Sequence, residues 1–136
     1  SRSQDNEFLN DLWEYKPGDV GSWEQLHPIG SVPSARHGHT AVWTGVGAGE
    51  MLVFGGVGSN GDLNDLWKYN ASGWVQLHPN GSAPSARFGH TAVWAGNAML
   101  VFGGFSDHDY GHYDYLNDLW KYYLPGEVGS WEQLEP

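Results

Sequence analysis

An all-β fold assembled from repeated four-stranded units is predicted by three features of this 136-residue chain. Its strings recur at intervals of about 50 residues, the spacing of a supersecondary repeat. Its apolar stretches are short and broken by 20 Gly and 7 Pro, while 8 Trp, 7 Tyr and 5 Phe supply the bulk for a core. No segment sustains a helical period beyond about two turns.

The repeat is read directly from the residues. NDLW occurs at Asn10–Trp13, Asn64–Trp67 and Asn117–Trp120, and each copy is followed by WEQL or WVQL, at Trp23–Leu26, Trp74–Leu77 and Trp131–Leu134. PSARHGHTAVW at Pro33–Trp43 returns as PSARFGHTAVW at Pro84–Trp94, with Phe88 in place of His37. MLVFGG at Met51–Gly56 returns unchanged at Met99–Gly104.

Four strands follow from each full copy. His39–Trp43 is β-branched and aromatic between turn-forming residues. Met51–Phe54 is an apolar run stopped by Gly55-Gly56, as suits a strand buried on both faces. Asp65–Tyr69 alternates, with Trp67 and Tyr69 on one face and Leu66 and Lys68 on the other. Trp74–Leu77 is closed by His78-Pro79. Four antiparallel strands per repeat, radially stacked, describe the blades of a propeller.

Paired Gly after an apolar strand, then DLW-x-Y, then W-x-x-L, then P-x-x-R-x-G-H-T, resembles the kelch repeat over essentially the whole chain. The resemblance implies a β-propeller whose innermost strands begin at His39 and His90 and whose outermost strands carry W-x-x-L. It also implies a scaffold that binds other proteins.

The strands do not add up to a closed ring. Residues 1–28 form an outer pair of a half blade, 29–77 a blade and 78–136 a second blade, about two and a half blades in all. Closed propellers use about four to eight. Closure is therefore expected by head-to-tail association of several copies, with a trimer or tetramer favoured, or within a longer chain. Two terminal outer pairs would then compete for one inner pair, which invites strand exchange. An engineered or truncated building block without a natural ligand is the alternative, and the near-identical repeats fit it.

Composition excludes several classes. Six Lys+Arg against 16 Asp+Glu give a net charge of −10, which argues against nucleic-acid phosphates and anionic membrane surfaces. No apolar run approaches the roughly 20 residues of a membrane helix, and the N-terminal stretch lacks the apolar core of a signal peptide. The absence of Cys removes disulfides, thiolate metal sites and any Cys nucleophile. It also removes the Cys-modified Tyr of galactose oxidase, a kelch-like copper enzyme. No cofactor is expected, and the compartment is undetermined.

Candidate binding residues lie where the repeats differ or carry charge. The segment 105–116, FSDHDYGHYDYL, is read as a long loop holding Asp107, His108, Tyr110, His112 and Tyr113, with Asp107, His108 and His112 as the candidates for metal ligation. The Glu-x-x-x-Asp-x-x-x-His iron motif of the nitrile-specifier kelch family is absent, since Gly103 and Gly111 flank Asp107 at that spacing. A solvated contact loop is the competing reading, as is a metal-dependent enzyme or glycan binder. The kelch resemblance implies that Arg36 and Arg87 line the central face, where they would meet an acidic ligand or, alternatively, anchor a loop. His37 is a surface variable, whereas His39 and His90 recur and are expected to be structural. The Trp rows (Trp13, Trp67 and Trp120, with Trp23, Trp74 and Trp131) are expected between blades.

Overall fold

Twelve short strands carry the chain, in a computed structural model that describes residues 7–45, 47–109, 111–123 and 129–135. The first two, β1 (Leu12–Lys16) and β2 (Ser22–Leu26), form a two-stranded sheet by themselves. The middle sheet joins β3 (Thr40–Trp43), β4 (Met51–Phe54), β7 (Leu66–Asn70) and β8 (Gly73–Leu77), in that spatial order. Between β4 and β7 stands a small hairpin, β5 (Val57–Gly58) and β6 (Gly61–Asp62). The last sheet runs from β9 (Thr91–Trp94) through β10 (Ala98–Asp109) and β11 (His112–Tyr123) to β12 (Ser130–Leu134). Every named strand pairing is antiparallel, as expected for kelch-type blades that are not closed into a ring.

Two details differ from the sequence reading. The segment 105–116 is not a loop: β10 and β11 are 12 residues each and carry the ladder outward through Phe105↔Tyr115, Ser106↔Asp114 and Asp107↔Tyr113. Its alternating aromatic residues support strand pairing where the abundance of Asp and Gly signalled a turn. The hairpin β5–β6 was likewise hidden in a stretch rich in Gly and Ser.

The core lies between the two complete blades. Val42, Leu52, Phe54, Leu66 and Leu77 from the middle blade pack with Met99, Val101, Trp120, Tyr122 and Trp131 from the last. The Phe54 ring sits 5.1 Å from that of Trp131 and 5.3 Å from that of His90. Sheet alternation puts one such set on each face of a blade. Burial depends on whether a neighbour is present. Phe54 is fully buried, while its counterpart Phe102 is 51% exposed on the far face of the last blade. At the other end, Trp13 and Trp23 are exposed although Trp67, Trp120 and Trp131 are buried, so the expected inter-blade role does not extend to the N-terminal pair.

The glycine pairs permit close approach. Gly56 has φ +100°, and a Cβ there would lie 2.8 Å from the His37 carbonyl oxygen, while Gly104 at φ +98° would meet the Phe88 carbonyl oxygen at 2.8 Å. Left-handed backbone and missing space both require glycine at these positions.

Candidate functional site

Each full blade is locked by one arginine. The guanidinium of Arg87 donates through Nη1 and Nη2 to both carboxylate oxygens of Asp118, at 2.7 and 2.8 Å. Nη1 also reaches the Gly103 carbonyl at 3.1 Å, Nη2 the Ser85 hydroxyl at 3.2 Å, and Nε the Ser85 carbonyl at 3.0 Å. All five N–H groups of the fork are thus satisfied inside the blade. Arg36 repeats the arrangement on Asp65, Gly55 and Ser34. Both arginines are buried, so their contacts are those of the loop-anchoring alternative, and no N–H of either fork is left for an acidic ligand.

The carboxylates complete the lock. Asp65 and Asp118 each accept the indole N–H of the Trp two residues on, at 2.7 Å. The Arg87 hydrogen bonds pull the Asp118 carboxyl down to about 2 against the opposing effect of burial. At Asp65 burial raises the carboxyl, but Arg36 and Trp67 together bring it below the usual range. These aspartates were missed from sequence. The available signal was one acid in N-D-L-W recurring with one base in P-S-A-R.

The histidines diverge although their positions match. His90 is buried and its Nε2 lies 2.8 Å from the Thr40 hydroxyl of the preceding blade. Burial, and then the positive charge of Arg87, push its pKa down to about 4, so the ring is neutral near pH 7. His39 is exposed, because among the described residues the N-terminal half blade offers no inner strand to receive it.

The backbone links each blade to its neighbour on one side. Arg36 N donates to Leu9 O at 3.0 Å and Arg87 N to Leu63 O at 3.1 Å, both across a blade boundary. Gly56 N donates to Arg87 O at 2.8 Å. The loops that lead into β3 and β9 also pair with the residues after each Gly pair, as His37↔Val57 and Phe88↔Phe105.

Those bridges gather the variable residues at one side of the blades. The hairpin tip of the last blade is tied to β6 by Asp107 N donating to Asp62 Oδ2 at 2.7 Å. Phe88, Phe105, Tyr113 and Tyr115 form a chain of ring contacts 5.2 to 6.5 Å apart along it. Asp107 and Tyr113 are cross-strand partners, and Asp107, His112 and Tyr113 are exposed. The His37 ring is stacked on Phe8 at 5.3 Å, with the two rings nearly parallel at 5°. His108 lies in β10, where only its backbone is described, and Tyr110 lies outside the described residues. Among the described residues no three metal-ligating side chains converge.

A family model described as the KLHDC2/KLHL20/DRC7 Kelch-repeats domain matches residues 1–136. The chain belongs to the kelch-repeat family. It is 32% identical to the leucine-zipper-like transcriptional regulator 1 homolog of Drosophila melanogaster, over 94% of this chain and 13% of that protein. It is 40% identical to tip elongation aberrant protein 1 of Schizosaccharomyces pombe, over 69% of this chain and 9% of the other. Human host cell factor 2 is 37% identical over 74% of this chain and 14% of its own length. The kelch chain therefore spans about a tenth of these relatives. Kelch-repeat domains are typical of protein-interaction scaffolds and are generally non-enzymatic.

Proposed function

We propose that this kelch chain is a non-enzymatic scaffold that associates with copies of itself through its two open blade faces and binds protein partners through its hairpin side. The units 1–28, 29–77 and 78–136 are its half blade and two blades. The observation that carries the proposal is the mismatch in burial between equivalent residues. Val93 and Phe102 are 56% and 51% exposed at one end, while Trp13, Tyr15 and Trp23 are 49%, 50% and 67% exposed at the other. Their counterparts Val42 and Phe54, with Trp120, Tyr122 and Trp131, face each other in the core. Two exposed surfaces that match the two halves of an internal interface favour head-to-tail association.

The hairpin side suits protein binding, because exposed Tyr113 and Tyr115 stand on a paired and tethered ribbon. Aromatic side chains on rigid elements lose little entropy on binding. Native mass by light scattering on a sizing column tests the association. A species at three or four times 15.0 kDa supports it, and a monomer at every concentration overturns it.

A further inference from the structure

We infer that β1 and β2 are interchangeable with the outer half of the last blade and take its place on the inner pair of a second copy, whose Arg87 then pairs with Asp11. The inference rests on the self-association proposed above and names the strands and the ion pair that carry it.

The two outer pairs match in sequence and register. Ser22–Leu26 and Ser130–Leu134 spell the same pentapeptide, and Asn10–Trp13 repeats Asn117–Trp120. β1 meets β2 as Leu12↔Leu26, Trp13↔Gln25 and Tyr15↔Trp23. β11 meets β12 as Leu119↔Leu134, Trp120↔Gln133 and Tyr122↔Trp131.

What differs is the other edge. β7 pairs there with β4, and β11 with β10, whereas β1 has no partner on that side among the described residues. An unpaired edge presents backbone donors and acceptors that template another strand. The carboxylate at its start is also incomplete. Asp11 Oδ2 accepts the Trp13 indole N–H at 2.7 Å, as Asp65 and Asp118 do from Trp67 and Trp120. Each of those two also receives an arginine fork, yet among the described residues no arginine reaches Asp11.

An incoming pair of the kind formed by β9 and β10 satisfies edge and carboxylate together. In the register that β10 keeps on β11, Met99 would face Tyr15, Leu100 Glu14, Val101 Trp13 and Phe102 Leu12. The last blade is the donor because Val93 and Phe102 on its far face are exposed, while their counterparts Val42 and Phe54 in the middle blade are buried against the last blade. The ladder and the ion pair lost in one copy are remade with another, so the exchange is nearly balanced and is drawn forward by concentration.

Because the chain has no Cys, a disulfide reports the register. Chains carrying Glu14→Cys and Leu100→Cys, distinguishable by mass, are mixed, concentrated and gently oxidised. The expected product is the 14–100 heterodisulfide, at least fivefold above a Gln25→Cys control on the opposite strand. Asp118→Ala in the Leu100→Cys chain should raise its yield, and Asp11→Ala in the Glu14→Cys chain should lower it. An oligomeric sample without the heterodisulfide overturns the exchange and leaves face stacking intact. A monomeric sample without it overturns both, and a yield indifferent to Asp11→Ala overturns the ion pair.

Discussion

Trp23 and Trp131 occupy the same place in the same pentapeptide, yet Trp23 is 67% exposed and Trp131 is 5% exposed. Trp131 rests against Phe54 of the preceding blade, and its ring meets Trp120 and Tyr122 edge-on or tilted. Trp131→Ala should therefore cost about 3–5 kcal/mol by opening the core. Trp23→Ala should stay within about 1 kcal/mol in the monomer. Urea unfolding of the two variants at low protein concentration makes the comparison.

The Arg87–Asp118 lock should be intolerant of single changes. Asp118→Ala leaves a buried guanidinium with two of its five N–H groups unpaired, an expected loss of about 3–5 kcal/mol. Arg87→Lys should not rescue it, because an ammonium cannot reproduce five fixed donors. Equilibrium denaturation of the two single variants and the double variant gives the coupling.

Acid should unfold the chain in two stages. His90 has a folded pKa of about 4, below its ordinary 6.5, so it stabilises fully above about pH 6.5. That contribution, on the order of 3 kcal/mol, fades as pH falls from 6.5 toward 4. Asp118, at about 2 against 3.8, contributes fully above about pH 4. Its share, on the order of 1 kcal/mol once solvent screening is counted, is lost as pH falls toward 2. Urea midpoints measured from pH 7 to pH 2 should show both stages, and His90→Gln should flatten the first.

Glycine substitutions should separate crowding from backbone strain. Gly104→Ala places a methyl 2.8 Å from the Phe88 carbonyl oxygen at positive φ, whereas Gly61, also at positive φ, has nothing within 4 Å. The first should lose more than about 2 kcal/mol and the second about 1 kcal/mol, read as thermal midpoints.

The long hairpin should be dispensable for assembly. Replacing 105–116 with the shorter Val57–Leu63 connection removes Tyr113 and Tyr115 while keeping both blades. Native mass should be unchanged, and only partner binding at the hairpin side should disappear. A fall in mass would place the hairpin within the association surface.

The repeat made the blade architecture legible, because an identical string must fold alike in each copy. PSAR…GHTAVW and MLVFGG located both inner pairs and their order in the sheet. Repetition alone concealed position: it assigned Phe54 and Phe102 one role, and only the presence of a neighbour separates them. The hairpin was misread because Asp and Gly outweighed the alternation of Phe105, Tyr113 and Tyr115. The aspartate partners escaped notice because their arginines lie 29 and 31 residues away, beyond any local pattern.

The hydrogen bonds from Arg36 N to Leu9 O and from Arg87 N to Leu63 O both join a unit to the one just before it. Such a chain has a grammar of adjacency, in which each unit needs to recognise only its predecessor. Stability then accumulates as a sum over neighbours, and damage at one joint stays near that joint. A duplicated blade brings both halves of its joint with it, so the array can lengthen by gene duplication without inventing a contact.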